Sequence, residues 1–256
     1  MTLTLSPVLD IPMIQPGDDL GKIIFQALEA MSLKLQEGDI LVLAQKIVSK
    51  AEGRLFNLTQ VEPSARALEL AEKTEKDPRF VELVLRESSE VLRTRPGTII
   101  VEHKHGFVCA NAGIDHSNVR GPWGNSEDWV LLLPDDPDAS AERVRQRICE
   151  LSGMKSLGIL IIDSHGRAWR NGTVGVAIGL AEVPGIVDMR GKPDLFGYRL
   201  RITMIAAADE LAAAASLVMG QADECQPVIH VRGFPYALRE SHLKELIRAK
   251  ELDMFR

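Results

Sequence analysis

The sequence predicts an α+β fold with mixed sheets, and three observations lead to this prediction. Apolar, strand-like segments often follow one another directly, and helical segments lack the regular alternation with strands that favours a parallel sheet. No GxGxxG turn opens a helix, so no Rossmann unit is expected. The nearest approach to a P-loop, "GIVDMRGKP", has the wrong glycine spacing, and Pro193 stands where a Ser or Thr would meet magnesium.

Length, charge and cysteine content limit the classes of function. The 256 residues suffice for a sizeable core, and we treat residues 1–256 as one module, long enough for two subdomains. A net charge of −6 argues against a nucleic-acid partner but allows a local basic pocket. No apolar run approaches the ~20 residues of a membrane span, and no signal peptide is recognisable. Three scattered cysteines predict neither a disulfide framework nor a structural zinc site, so a cytoplasmic location is expected.

The first half of the chain alternates between helical and strand patterns. "PGDDLGKIIFQAL" predicts a helix, because acids precede apolar residues at helical spacing. Residues 40–44 predict a buried strand that leads into a polar turn containing Gln45, Lys46, Ser49 and Lys50. Pro63 predicts the first position of a helix, and 77–92 predict a second helix. Strands are expected at 98–102 and 107–111.

The second half predicts mostly strands around three helices. After a loop at 120–128, strands are expected over "WVLLLP" and over "LGILIID", the latter ended by Asp163 and the turn "SHGR". Between these two strands, "DASAERVRQRICELSG" predicts a helix capped by Asp138 or Ser140 and stopped by Gly153. Strands at 173–181 and 199–207, a helix at 208–220, a strand at 227–233 and a helix at 238–252 complete the prediction.

Two acids follow predicted strands and carry the first functional hypothesis. Asp115 lies in the stretch "CANAGIDHSNV", and Asp163, followed by Ser164, ends "GILIID". Carboxylates fixed at the ends of buried strands suit a hard cation, although each acid alone is equally typical of a turn. Arg167 and Arg170, close in sequence to Asp163, suit a phosphate or a carboxylate, and they equally suit a solvated turn.

Other polar residues leave similar alternatives. Lys46 and Lys50 follow a buried strand, where lysines either reach phosphates or remain on the surface. His103 and His105 share one face of a strand and could bind zinc, but without a third ligand an exposed strand is favoured. His116 and His165 adjoin the two acids as candidate partners. The segment "MGQADECQP" predicts either a nucleotide-binding loop or a plain helix end.

Four segments together resemble one known family. "VSKAEGR", "NAGIDHSNV", "IIDSHGRAWRNGTVGVAIG" and "VMGQADE" are similar, at comparable spacings, to the coenzyme F-420-0:L-glutamate ligase family. The resemblance implies an α+β fold of two intertwined subdomains, an intertwined homodimer, and a single module without the nitroreductase-like domain of some bacterial relatives. It also implies a ligase that uses GTP, two divalent cations (magnesium or manganese) and potassium to join L-glutamate to a carboxylate of the deazaflavin coenzyme precursor.

The resemblance assigns site residues position by position. Phosphate charge would be neutralised by Lys50 and Arg167, and Gln221 stands where some relatives carry an acidic metal ligand. The metal-binding positions are Asp115, Asp163, Ser164 and Gln221. The nucleotide-binding positions are Ile11, Pro12, Met13, Ile14, Gln45, Lys46, Lys50, Asn118, Leu217, Val218, Met219, Gly220, Gln221, Ala222, Asp223 and Glu224.

The implied mechanism is carboxylate activation by phosphoryl transfer. The acceptor carboxylate would attack the γ-phosphate to give an acyl phosphate, which the glutamate amine would then convert into an amide. Two other readings use the same residues: a metal-dependent phosphohydrolase, and a non-catalytic GTP-binding regulator. The hydrolase would release phosphate without glutamate, and the regulator would bind GTP without releasing GDP.

Overall fold

The computed structural model describes residues 2–254. Its strands are β1 (Thr4–Pro7), β2 (Asp39–Ala44), β3 (Leu55–Asn57), β4 (Ser88–Arg95), β5 (Thr98–His103), β6 (Val108–Ala110), β7 (Trp129–Leu131), β8 (Leu157–Arg167), β9 (Arg170–Ala181), β10 (Val187–Asp188), β11 (Met204–Ile205) and β12 (Val228–Arg232). Its α-helices are α1 (Leu20–Ala30), α2 (Gln45–Ala51), α3 (Ala65–Thr74), α4 (Pro78–Arg86), α5 (Pro137–Ser152) and α6 (Ala207–Met219).

Five strands form the central sheet, in the order β1, β12, β2, β8 and β9. β2 and β8 run parallel, and the other neighbours in the sheet are antiparallel. The predicted α+β class with mixed sheets is therefore confirmed. Helices cover both faces of this sheet, so its central strands are buried on both sides and appear in the sequence as continuous apolar runs.

Successive residues of β2 and β8 point to opposite faces, and each face has its own core. Leu41 and Leu43 of β2 pack with residues of α1 and α5, among them Ile24 and Ile148. Ile40 and Val42 face the other side, where they pack with the alanine-rich α6. The small side chains of α6 allow a close approach to β9, where a Cβ on Gly175 would lie 2.6 Å from the carbonyl oxygen of Ala212.

A second core lies beside the central sheet. The three-stranded sheet β4, β5 and β6 packs with α3 and α4 around Leu70, Phe80 and Val101. The two short strands β3 and β7 form a separate pair, and an isolated bridge joins Asp115 to Leu131 of β7. Phe107 packs against this core and against both faces of the central sheet. Phe107 therefore connects the second core to the main sheet.

Residues 187–205 form a ribbon in which β10 pairs with β11. Large apolar side chains on this ribbon are solvent-exposed, with Leu195 97% exposed, Phe196 95% and Ile202 88%. An exposed group of this kind is typical of a surface that binds another protein.

The polar turn predicted after β2 is wrong, since Gln45–Ala51 form helix α2. Ile47 and Val48 are buried on the inner side of α2, while Lys46 and Lys50 lie on the cavity side. The predicted end of β8 at Asp163 is also wrong. The strand continues to Arg167, because pairing with β9 satisfies the backbone groups of the predicted turn "SHGR".

Other element boundaries differ from the prediction. Residues 88–92, the last part of the second predicted helix, belong instead to β4, whose backbone pairs with β5. The strand expected at 199–207 retains only the two residues of β11. Helix α3 follows the cap Ser64 rather than starting at Pro63, and α5 is capped by Asp136, whose carboxylate accepts a hydrogen bond from the Ala139 N–H.

The structure describes all of residues 238–252, and the closing helix predicted there is absent. Two 3₁₀ turns, at 243–245 and 250–252, take its place. Leu243 is buried against the α6 side of the sheet, whereas Leu252 is exposed, so the apolar residues do not share one buried helix face. No helix within residues 2–254 is long and apolar enough to cross a membrane.

Candidate functional site

A cavity of about 640 Å³ opens at the carboxyl end of β2. Five parts of the chain line it: residues 11–14, α2 with the end of β2, residues 110–120, the middle of β8, and residues 219–227 after α6. The sequence-predicted residues that line it are Ile11, Pro12, Met13, Ile14, Gln45, Lys46, Lys50, Asp115, Asn118, Asp163, Ser164, Met219, Gly220, Gln221, Ala222, Asp223 and Glu224.

Helix α2 fixes the first polar contact in the cavity. Gln45 is only 2% exposed, and its Oε1 accepts a hydrogen bond from the Ser49 hydroxyl at 2.9 Å. Since that contact uses the amide oxygen, the Nε2 group is left to donate to Asp115 Oδ2, at 2.6 Å. The amide of Gln45 therefore connects α2 to a carboxylate 70 residues away along the chain.

Asp115 is held by its backbone as well as by its side chain. Its N–H and C=O both bond to Leu131, at 2.9 Å each, and Lys46 Nζ lies 3.6 Å from its Oδ2. Burial and then the nearby negative charge of Asp163 raise the pKa of Asp115 to about 6, against the lowering effect of Lys46 and Gln45. Two carboxylates thus face one region in which negative charge is disfavoured, and a cation would relieve that repulsion.

Two lysines present positive charge to the same cavity. Lys46 Nζ donates to the Ser117 hydroxyl at 2.8 Å, and Lys50 Nζ donates to the Asn118 carbonyl oxygen at 2.8 Å. Burial and then the neighbouring Lys46 charge lower the pKa of Lys50. A pair of ammonium groups held this close to one another suits a ligand with several negative charges, such as a polyphosphate.

The segment after α6 closes the cavity through side-chain contacts. Asn118, at φ 56°, donates from Nδ2 to the Ala222 carbonyl oxygen at 2.9 Å. Gln221 accepts from the Ser164 hydroxyl at 2.9 Å and donates from Nε2 to the Ser216 hydroxyl at 3.0 Å. Ser164 and Gln221, both predicted as metal ligands, are therefore in direct contact with each other.

Asp163 and His165 are two residues apart on β8 and lie on the same side of the strand. His165 Nε2 is 3.0 Å from Asp163 Oδ2 and is buried without a hydrogen-bond partner among residues 2–254. The ring of Phe107 packs on the ring of His165, with centroids 5.3 Å apart. His165 was expected only to adjoin the acid, and the structure places it in the cavity wall.

The donor atoms of the cavity fit a divalent cation shared with a substrate. Asp115, Asp163, Ser164 and Gln221 supply oxygen atoms, the ligand type that magnesium and manganese prefer. No group of three or more His, Cys, Asp or Glu side chains in the described chain forms a metal cage. Magnesium usually takes only one or two carboxylates and completes its shell with water and substrate phosphates. The residues present therefore fit magnesium or manganese bound together with a nucleotide.

Three predicted residues lie outside this cavity lining. Arg167 is exposed near the β8–β9 turn, where its Nη1 donates to the Gly172 carbonyl oxygen at 3.3 Å. Leu217 is exposed on α6, and Val218 packs against the core on that side of the sheet. Their proximity in sequence to site residues does not bring their side chains into the cavity, because a helix or strand presents successive residues to different sides.

The sequence prediction missed some lining residues, including Ser117 and Arg120. Each is adjacent to a predicted site residue or to its loop, and adjacency was the one signal that could have identified them. The prediction that His103 belongs to an exposed strand face is wrong. His103 is fully buried, its ring lies 4.3 Å from that of His105, and burial lowers its pKa to about 3.

The chain is similar to known proteins over its whole length. The model of the F420-0:Gamma-glutamyl ligase family matches residues 8–233. A coenzyme F420:L-glutamate ligase of Methanothermobacter thermautotrophicus is 46% identical over 258 residues, which cover 100% of both chains. The enzyme of the same name from Methanopyrus kandleri is 46% identical over 100% of this chain and 98% of its own. That of Archaeoglobus fulgidus is 42% identical over 100% of this chain and 97% of its own.

These matches confirm the resemblance stated from the four sequence segments. The family model ends at the Gly233 that follows β12, so it includes every segment that lines the cavity. The chain therefore belongs to the F420-0:Gamma-glutamyl ligase family and is an enzyme of the class that forms carbon–nitrogen bonds.

Proposed function

We propose that the protein joins L-glutamate, through its α-amine, to the carboxylate of the deazaflavin coenzyme precursor F420-0, with GTP as the energy source. Family membership and full-length similarity to enzymes named coenzyme F420:L-glutamate ligase support the choice of substrates. The observation that carries the proposal is the meeting, in one cavity, of two carboxylates and two lysines that come from separate parts of the chain.

The lysines are proposed to bind the nucleotide phosphates. Lys46 and Lys50 lie on one side of α2 and direct both ammonium groups toward the 115–118 segment. Asn118 and the loop 219–224 would enclose the nucleotide, because Asn118 already bonds to Ala222 of that loop. The segment 11–14 supplies an apolar wall.

Asp115, Asp163, Ser164 and Gln221 are proposed to hold magnesium or manganese. When bound, such a cation neutralises phosphate charge and polarises the phosphoryl oxygens. Gln45 positions Asp115 for this purpose, because it donates a hydrogen bond to one oxygen and leaves the other oxygen available. A requirement for potassium stays a prediction.

The proposed reaction has two steps. An oxygen of the acceptor carboxylate attacks the γ-phosphorus, the bond between the β-γ bridging oxygen and that phosphorus breaks, and GDP leaves with the electron pair. The glutamate nitrogen then attacks the acyl carbon, loses its proton, and inorganic phosphate leaves. Lys50 and Lys46 hold the phosphates in line and reduce their charge, which lowers the barrier to attack by an anion. A role of Arg167 in neutralising the phosphate charge stays a prediction, because its side chain lies outside the cavity lining.

The proposal is tested by incubating the protein with GTP, manganese, L-glutamate and the deazaflavin precursor. We expect one GDP, one phosphate and one amide product, identified by mass spectrometry, for each turnover. Omission of either the precursor or glutamate should abolish amide formation. Equal phosphate release with GTP and manganese alone would identify a phosphohydrolase, and GTP binding without release of GDP would identify a regulator.

A homodimer is proposed as the working assembly. The exposed apolar side chains of the 187–205 ribbon, with Leu195, Phe196 and Ile202 at its surface, suit burial against a second copy.

A further inference from the structure

A second cavity, of about 480 Å³, adjoins the first. It is formed by residues 120–126, which the sequence predicted only as a loop. Arg120 lines both cavities, so this residue lies between them. The chain leads directly from Asn118, in the proposed nucleotide site, into this loop. A substrate that occupies both cavities would therefore contact Arg120.

The loop holds an exposed aromatic ring in a fixed position. Trp123 is 49% exposed, and its ring meets that of the buried Trp129 edge to face, with centroids 5.1 Å apart and an angle of 77°. Trp129 Nε1 donates to the Trp123 carbonyl oxygen at 2.7 Å. Gly121 lies so close to Trp129 that a Cβ would fall 2.0 Å from its ring atoms. Trp129 thus anchors the loop and leaves part of the Trp123 ring open to a ligand.

The second cavity also carries a positive charge, from Arg120. Arg120 is exposed, and it has no hydrogen bond or ion pair within residues 2–254. A cavity lined by both a guanidinium group and an exposed indole suits a ligand that combines a planar aromatic ring with a negatively charged group, because the ring stacks on the indole while the anion pairs with the arginine.

The first cavity, at the carboxyl end of β2, lacks a comparable aromatic surface. None of the described residues that line it is a phenylalanine, tyrosine or tryptophan. The polar corner of Asp115, Asp163 and the two lysines suits phosphates and a cation rather than an aromatic ring. An acceptor that places its carboxylate in this corner must put the rest of its structure elsewhere, and the adjoining cavity offers the stacking surface.

We propose that residues 120–126 form the subsite for the deazaflavin ring of the acceptor, with Trp123 stacking on the ring and Arg120 pairing with a negatively charged group of the same molecule. This inference rests on the proposed function, since it assigns a place to the acceptor of that reaction. It makes Trp123 and Arg120 specificity-determining residues for the acceptor, and it gives Trp123, which lies outside the first cavity, no part in binding GTP.

The test compares two probes on the protein with GTP absent: the acidic deazaflavin precursor, and the deazaflavin alcohol that lacks the phosphate and carboxylate groups. Binding is followed by the fluorescence anisotropy of the deazaflavin. Trp123→Leu keeps an apolar side chain but removes stacking, and should raise the Kd for both probes about tenfold or more. Trp123→Phe should stay within about threefold of the wild type. Arg120→Gln should weaken only the acidic probe, whereas Arg93→Gln, at an exposed arginine of β4, serves as the charge control.

Steady-state kinetics complete the test. For Trp123→Leu we expect KM for the precursor to rise by a similar factor, while KM for GTP and the Kd for GTP stay unchanged. Normal GTP binding also shows that the variants are folded. Arg120→Gln changes an exposed side chain and tests the subsite independently if the tryptophan variant fails to fold.

Two results would overturn the inference, and they are distinguishable. If the wild type forms the amide product but Trp123→Leu and Arg120→Gln keep wild-type affinity for the precursor, the subsite is wrong and the proposed ligase function stands. If the wild type neither binds a deazaflavin nor forms an amide, the proposed function and this inference are both wrong.

Discussion

Replacement of Asp115 by asparagine should stabilise the metal-free protein and at the same time impair its activity. Burial and the charge of Asp163 raise the pKa of this carboxyl from 3.8 to about 6. One pH unit corresponds to about 1.4 kcal/mol, so the ionised carboxylate costs about 3 kcal/mol of folding free energy. Asparagine removes that charge and still offers an oxygen to Gln45. The raised pKa already includes the opposing attraction of Lys46, 3.6 Å away, so we expect a net gain of up to about 3 kcal/mol at pH 7.5.

The sign of the pH dependence follows from the raised pKa. Between about pH 4 and pH 6 the folded protein keeps a proton that the unfolded chain has lost, so wild-type stability falls as pH rises through this range. The gain from Asp115→Asn should therefore be smaller at pH 4.5 than at pH 7.5. Urea denaturation in the presence of a chelator measures both values, and the melting temperature should rise by about 2–4 °C per kcal/mol for a chain of this size.

Manganese separates the proposed role of Asp115 from a purely structural one. A neutral amide is a weaker ligand for a hard cation, so Asp115→Asn should need far more manganese, both in binding followed by electron paramagnetic resonance and in activity. Asp188→Asn, at an exposed carboxylate paired with Arg190, is the matched control and should change neither measurement. A variant that is no more stable than the wild type at pH 7.5, or whose manganese titration superimposes on that of the wild type, would refute the reasoning.

Three further predictions concern other parts of the molecule. Lys50→Ala should raise the Kd for GTP in titration calorimetry while the protein stays folded, because the Lys50 Nζ reaches Asn118 at the cavity. An unchanged Kd would show that Lys50 has no role in binding GTP. Ile202→Asp on the apolar ribbon should leave the chain folded but shift it to the monomer mass of about 28 kDa in light scattering, and a wild type that is already monomeric contradicts the proposed dimer. Asp39→Ala should lower the free energy of unfolding by about 3–5 kcal/mol at pH 7, since it leaves His230 and Arg232 without their buried carboxylate partner. His230 and Arg232 lower the pKa of Asp39, so this stabilisation exists above about pH 4 and is lost on further acidification. The free energies of unfolding from urea denaturation at pH 7 and at pH 3 should therefore differ less for the variant than for the wild type.

The continuous apolar runs made the central strands predictable. β2 and β8 are covered on both faces, so their sequences carry a signal that short or half-exposed strands lack. Helix α2 was missed because its polar residues Gln45, Lys46, Ser49 and Lys50 resemble a turn. The same residues lie at positions one and four apart, with Ile47 and Val48 between them, which is the spacing of a short amphipathic helix.

The resemblance supplied the predicted site residues, but it did not supply their contacts. Gln45 and Asp115 are 70 residues apart, and nothing local in either segment indicates that the amide of one binds the carboxylate of the other. The aromatic loop was missed for a related reason. The exposed position of Trp123 depends on the packing of Trp129 and Gly121, and single-sequence patterns do not report which of two tryptophans is buried.

The parallel pairing of β2 and β8 explains why the polar residues converge where they do. In the register of these strands Ala44 lies opposite Ile162, so the next residues along each strand, Gln45 and Asp163, emerge at the same edge of the sheet. Ligands commonly bind outside the carboxyl ends of parallel strands, because the chain turns away there and leaves a crevice. Here α2 starts at once after β2, whereas β8 continues into its hairpin with β9. The edge therefore receives lysines from a helix on one side and a carboxylate from a rigid strand on the other, so that a phosphate and a cation can be bound side by side.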